Sequence, residues 1–348
     1  MKVAVSDVQT RKAFDIVNIF HTLGVEVELF SKKSFLHRVV LSLIYRQRVK
    51  KELPSDVALL PTEDSTIREL LESGEDKRVL LPPKESFELA FDKGRFCKFC
   101  EENGFDTPKV FSYKEIVTKE KLPCKLIIKP KVGSGAEGIK FVDSMDEFLA
   151  LELDWSKFLI QQRLEDSVGV EGGFFLCHDG EVVSFYSHKR LKTYPRRGGV
   201  TIHSVSTKNH EIEKLGGAML KKLNWSGFAM IEFIYDDTEK SYKAIELNPR
   251  VWGSIMLSEF CGVNMLYDYV CLVEGKSIKP SKVLEQKAIR WLIPWDVGYL
   301  SKNLFNLDKK ETCYINFSYA SVYMAVLFLL YNTLNPAIFK KLVKKMFS

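Results

Sequence analysis

Residues 226–253, SGFAMIEFIYDDTEKSYKAIELNPRVWG, constrain this chain more than any other stretch. FAMIEFIY and YKAIELN are rich in β-branched and aromatic residues, with polar DDTEKS between them, so they read as two strands and a turn. Side chains alternate faces along a strand. That rule puts Ile245 and Leu247 on one face and Glu246 and Asn248 on the other. Glu232 shares its face with Met230 and Ile234. If Glu232 lies opposite Glu246, the hairpin closes through a loop of about five residues, an ordinary length. This register gathers two carboxylates and one amide oxygen on one face. Like charges directly opposite destabilise a sheet, so a compensating cation is expected there. Hard oxygen donors without Cys or His nearby suit Mg²⁺ or Mn²⁺ held partly through phosphates. The alternative is a solvated hairpin with its glutamates on the wet face.

A chain of 348 residues is long enough for two or three domains with their own cores. Its hydrophobic content of 46% and charged content of 28% are those of a globular protein. The net charge of +6 favours anionic small ligands or a membrane surface and is too diffuse to argue for nucleic acid. Seven cysteines without a framework spacing read as reduced thiols in a cytosolic protein. Cys97 and Cys100 form one CxxC with no second pair to complete a zinc site, so they read as core. MKVAVSDVQT opens on a strand rather than on a signal peptide.

KVAVS at 2–6, a helix carrying Phe14, Val17, Ile19, Phe20 and Leu23, and VEVELF make a β-α-β start, which implies a parallel sheet. No GxGxxG follows the first strand, so dinucleotide binding there is unsupported. Residues 31–51 combine an apolar stripe with eight basic side chains, counting His37. They read either as a surface helix or as a face that meets anionic lipid or substrate. DVALLP, a helix in TEDSTIRELLES, and a short strand in RVLLPP follow. One helix is expected from about 85 to 103. KLIIKP at 125–130 reads as a strand entering a loop with Gly133, Gly135 and Gly138, whose backbone amides suit phosphate. Lys129 at its entrance adds a neutralising charge. It is not a Walker A loop, since no GK[ST] ends it.

SKFLIQQRLED is a further strand, and a second hairpin turns at HDGE. LKTYPRRGGV then reads as a loop. Lys189, Arg190, Lys192, Arg196 and Arg197 put five cations in nine residues, either as an anion-recognition lid or as a solvated face. His188 and His203 flank it, each a candidate base or a structural histidine. From Thr312 to Phe339 the chain carries no charge over 28 residues. A buried helix, a membrane-surface segment and a spanning helix all remain open for that run.

In this order the stretches resemble the ATP-grasp superfamily, and most closely its carbamoyl-phosphate-synthase-like carboxylate–amine ligases, the group with D-aspartate-ligase-like enzymes. The likeness covers roughly residues 1–275. It implies an α/β (α+β) ATP-grasp fold. The N-terminal domain would be Rossmann-like over 1–84, and the ATP-grasp domain would span 85–275, with a lid lobe at about 110–163 and a large lobe at 164–275. A helical, hydrophobic extension at 276–348 is expected to follow, with membrane contact through 312–348 left open. DK followed by NGFDTPK is similar to the family's "DK…GIPTPK", which makes Lys93 the first phosphate-contacting lysine. LIIKP makes Lys129 the second, with Gly133, Ser134, Gly135 and Gly138 in the flexible loop over the phosphates.

FLIQQRL resembles the hinge that meets adenine, at Gln161, Gln162 and Leu164. The family often has Glu at the first of these. Glu171 takes the place of the ribose-binding acid, and Arg190 that of the residue contacting the reacting acyl group. GFAMIEF and IELNPR imply that Glu232, Glu246 and Asn248 hold Mg²⁺ or Mn²⁺ and that Arg250 holds the transferring phosphate. The activity implied is ATP-dependent amide formation through an acyl phosphate, in the cytoplasm, from a small carboxylate or amino acid and an amine. Such chemistry needs charge neutralisation and positioning more than a protein nucleophile. Three alternatives stay open: the same fold with a different acceptor, a non-catalytic nucleotide sensor or scaffold, and a module docked at the inner membrane face. A homodimer is a further open option.

Overall fold

The computed structural model describes residues 1–74, 77–133, 137–164, 169–194, 200–279, 281–291, 310 and 312–315. Ser134, Gly135, Arg196, Arg197 and nearly all of the uncharged C-terminal run lie outside them. The chain divides into two compact units. One comprises Met1–Leu81, Ile202–Ser206 and Arg250–Ser348, and the other Pro82–Thr201 and Thr207–Pro249.

The first unit begins with β1 (Lys2–Val5), α1 (Arg11–Thr22), β2 (Glu26–Phe30), α2 (Phe35–Tyr45), β3 (Val49–Lys50), β4 (Ala58–Leu60) and α3 (Asp64–Ser73). The strands lie side by side as β3-β2-β1-β4, every pair parallel, as the β-α-β start implied. Val3, Ala4, Val5, Leu59 and Leu60 are buried because helices cover such a sheet. RVLLPP does not form the expected strand. Leu59 N–H donates to Arg78 O, but Leu80 N–H goes to the Tyr269 hydroxyl, and the two prolines have no amide to pair.

The second unit continues with α4 (Lys84–Phe91), α5 (Lys93–Glu102), β5 (Val110–Phe111), α6 (Tyr113–Val117), β6 (Leu126–Pro130), β7 (Lys140–Val142), α7 (Met145–Leu149) and β8 (Phe158–Gln162). Next come β9 (Val170–His178), β10 (Glu181–Tyr194), β11 (Val200–Thr207), α8 (His210–Lys222), β12 (Gly227–Asp236) and β13 (Ser241–Asn248). The helix expected from 85 to 103 is two. Asp92 sits between them in extended conformation, and its carboxylate accepts from Gly94 N and Arg95 N, capping α5. The basic segment expected as a loop is strand as far as Tyr194, five residues beyond the last β9 pair, Lys189 opposite Glu171.

Strands β5-β8-β6-β7 form one antiparallel sheet around Phe111, Ile116, Leu126, Ile128 and Phe148. Strands β13, β12, β9 and β10 form another, with α4, α5 and α8 on its apolar face. Gly216 of α8 makes that packing close, since a Cβ there would meet Phe175 Cζ at 2.3 Å.

The central hairpin has the expected register, Glu232 opposite Glu246. A β-bulge next to Glu232 changes the rest: Phe233 pairs with Ala244, so the loop is the four residues 237–240. Asp236 closes it by accepting from Thr238 N and Glu239 N, and Lys240 takes a left-handed φ of +55°. Ala244 and Leu247 therefore share the core, and Ile245, expected beside Leu247, does not.

The first unit resumes with α9 (Met256–Phe260), α10 (Met265–Val273), β14 (Ala288–Trp291) and β15 (Thr312–Ile315). Residues 203–205 of β11 pair antiparallel with β14, which pairs parallel with β15. Where the expected helical extension is described, it holds the strands β14 and β15 and turns rather than helix. No helix among the described residues is long and apolar enough to cross a membrane.

Candidate active site

The second unit gathers Lys93, Lys129, Arg190, Glu232, Glu246 and Asn248. Glu232 and Glu246 face each other across β12 and β13, as the alternation predicted. Each has a cation. Arg190, reaching from β10, makes a direct ion pair with Glu232, and Lys93 Nζ lies 3.4 Å from Glu246 Oε2. Asn248 Nδ2 donates to Glu246 Oε1 at 3.0 Å, which orients its amide.

Lys93 is the first residue of α5, so the Asp92 cap fixes where its side chain starts. Its Nζ also donates to Gly133 O at 2.7 Å, and its backbone N–H to Lys131 O, which ties the helix to the mouth of the glycine loop. Lys129 is buried at 4% exposure on β6, with Nζ 3.5 Å from Ile245 O at the bulge. Gly133 and Gly138 take positive φ, and a Cβ on Gly138 would meet Pro130 at 3.0 Å.

Burial pushes the Glu232 carboxyl above the usual range, with Arg190 opposing and Glu246 adding to the rise. Burial acts the same way on Glu246, but Lys93, Lys129, the Asn248 amide and Arg190 outweigh it and hold the group below its ordinary value. Lys129 is lowered by burial, against the pull of Glu246. The compensation expected from a metal ion is thus supplied, in this state, by three side-chain cations.

The donor set still fits a hard divalent ion. Among the described residues no three His, Cys, Asp or Glu side chains gather. Two carboxylates and one amide oxygen are too few to fill the shell of Mg²⁺, so ligand and water oxygens must complete it.

The hinge residues are committed to the sheet. Gln161 is buried, its Nε2 donating to Pro108 O and Cys97 Sγ, and Gln162 N–H donates to Lys109 O. Half-buried Leu164 lies just past β8. Glu171 is buried in a neutral cage: Thr207 Oγ1, Asn209 Nδ2 and the Tyr242 hydroxyl all donate to it. His188 is buried against Phe174, and burial, then Arg190, lowers it to about 3, so it is a neutral packing residue at ordinary pH.

Arg250 belongs to the first unit. Its Nε donates to Asp64 Oδ2 at 3.0 Å. Beside it, Lys12 donates to Val251 O and pairs with Glu63 at 3.1 Å, and Arg11 donates to Gly253 O. Sequence reasoning missed these partners. The signal available was Arg11-Lys12 at the start of a helix that follows a buried strand.

Residues 90–254 match the ATP-grasp domain family. This stretch is an ATP-grasp domain. The carbamoyl-phosphate synthase of Methanobrevibacter smithii is 25% identical over 230 residues, which cover 62% of this chain and 62% of that protein. The chain thus spans less than two thirds of that relative. The crystal structure of Staphylococcus aureus N5-carboxyaminoimidazole synthetase complexed with ADP aligns with TM-score 0.66 at 12% identity, covering 87% of this chain and 85% of that one. The L-amino acid ligase of Bacillus licheniformis aligns with TM-score 0.57 at 16% identity, covering 82% and 78%. At these identities the structural likeness shows the ATP-grasp fold, as the sequence motifs implied.

Proposed function

We propose that the protein is an ATP-dependent carboxylate–amine ligase that uses Mg²⁺ or Mn²⁺. The observation that carries this reading is the cluster of Lys93, Lys129 and Arg190 around Glu232, Glu246 and Asn248. It supplies positive charge for a triphosphate and oxygen donors for the metal on one sheet face. The Staphylococcus structure holds ADP on the same fold. The Bacillus protein is named an L-amino acid ligase, which supports the amide-forming class.

When bound, ATP supplies the γ-phosphoryl group that turns a carboxylate into an acyl phosphate open to attack by an amine. Lys93 and Lys129 neutralise phosphate oxygens, with Gly133, Ser134, Gly135 and Gly138 covering them and excluding water. Glu232, Glu246 and Asn248 orient the metal. Arg190 exchanges Glu232 for the reacting carboxylate. Gln161, Gln162 and Leu164 border the adenine, and Glu171 faces the ribose.

The test is release of ADP and phosphate from purified protein with Mg²⁺-ATP, across a panel of amino acids and small carboxylates, with product masses. Stimulation by one carboxylate–amine pair, with a coupled product, is expected. Nucleotide binding without stimulation by any pair would favour a sensor. Absence of nucleotide binding would overturn the reading.

A further inference from the structure

Helix α2 turns four large apolar side chains to solvent: Phe35 at 74% exposure, Leu36 at 70%, Val39 at 39% and Leu43 at 70%. At about 100° per residue they fall within one arc of about 100°. The helix is seated by its other side. Leu41 and Ile44 are buried, and the Tyr45 hydroxyl donates to Val8 O at 2.8 Å. Single exposed apolar residues are ordinary, but a continuous stripe marks a contact surface.

Within residues 31–51 the charge has one sign, although Lys32 is paired with Glu69 and Lys50 with Glu28. Residues 31–51 hold seven Lys and Arg and no Asp or Glu. Lys33 is exposed just before the helix, and half-buried Arg38 donates to its carbonyl oxygen. Arg46 and Arg48 are exposed beyond the other end. Cations therefore flank the apolar stripe at both ends.

We propose that this face docks the protein on an anionic lipid bilayer. Phe35, Leu36, Val39 and Leu43 enter the acyl boundary, while Lys33, Arg38, Arg46 and Arg48 meet headgroup phosphates. An apolar face and a cationic rim together supply the two signals that interfacial binding needs. A second copy of the chain fits less well, because a two-fold contact sets the same cations against each other.

The test uses the full chain with vesicles of phosphatidylcholine alone or mixed with phosphatidylglycerol. Sedimentation with the mixed vesicles only, weakening as salt rises, is expected. F35S/L36S/L43S is expected to lower the partition by about tenfold or more, with an unchanged melting temperature. K33E/R48E is expected to weaken it as well. No sedimentation with anionic vesicles overturns the proposal. So does undiminished binding by the triple serine variant, which would assign the contact to residues 312–339. A lipid-free dimer dispersed by that variant would give the face to a second copy instead.

Discussion

In the second unit Lys93 and Arg190 meet carboxylates, Lys93 also donating to Gly133 O, whereas in the first unit Arg11 and Lys12 reach the backbone carbonyls of Gly253 and Val251, Lys12 also pairing with Glu63. Both clusters take charge out of water, which is costly unless each group finds partners. The partners differ in what they allow. A carboxylate held by a mobile lysine or arginine can exchange that cation for another, such as a metal ion or the cation face of a ligand complex. A backbone carbonyl cannot leave. The first cluster is thus exchangeable, and the second is a clamp on the segment that follows β13.

The largest expected effect breaks the exchangeable cluster. Glu246→Gln is predicted to cut phosphate release by about 100-fold or more while the melting temperature holds, since it removes charge from the metal-binding face. Full turnover in that variant would sink the metal assignment. Arg190→Gln is expected to cost less, about tenfold in kcat/KM. It also removes the cation that opposes the upward push on Glu232. The acid limb of the pH–rate profile should therefore move to higher pH, and an unmoved limb would mean that Glu232 does not control it.

The clamp should respond in stability rather than turnover. Lys12→Met removes one of the two donors to Val251 O, the other being Arg250 Nη1, and takes the partner from Glu63, a loss of about 1–3 kcal/mol in denaturant unfolding. Burial lowers Lys12 from its ordinary 10.5 to about 8, with Arg250 adding to the drop. Between those values the unfolded chain binds more protons, so this group's contribution rises with pH there. It is complete above 10.5 and is lost as pH falls through about 8. The gap between the native protein and Lys12→Met should widen from neutral pH toward pH 10. A constant gap would show that Lys12 titrates alike in both states.

The exchangeable cluster was largely legible in the sequence and the clamp was not. Alternation sets Glu246 and Asn248 on one face of their strand, and the pairing with Glu232, a condition in the sequence, is met with a bulge that alternation did not foresee. Arg250 was found by its motif, but Asp64 lies 186 residues away and no local pattern joins them. The break at Asp92 was readable, since an aspartate ahead of KGRF is a good helix cap, yet the apolar spacing across it favoured one helix. Proline chemistry explains the missing strand at 78–83. The length of β10 depends on strand pairing, which lies outside the reach of composition.

The β-bulge of the hairpin has a consequence for how this chain tolerates changes of length. With Ile245 removed, Ala244 and Glu246 become neighbours and alternate inward and outward in step with Phe233 and Glu232. A chain one residue shorter can therefore fold the same hairpin with a regular ladder, its carboxylates still opposed. What it lacks is the carbonyl 3.5 Å from Lys129. The extra residue is dispensable for the ladder, and what it adds is a carbonyl beside that one buried lysine.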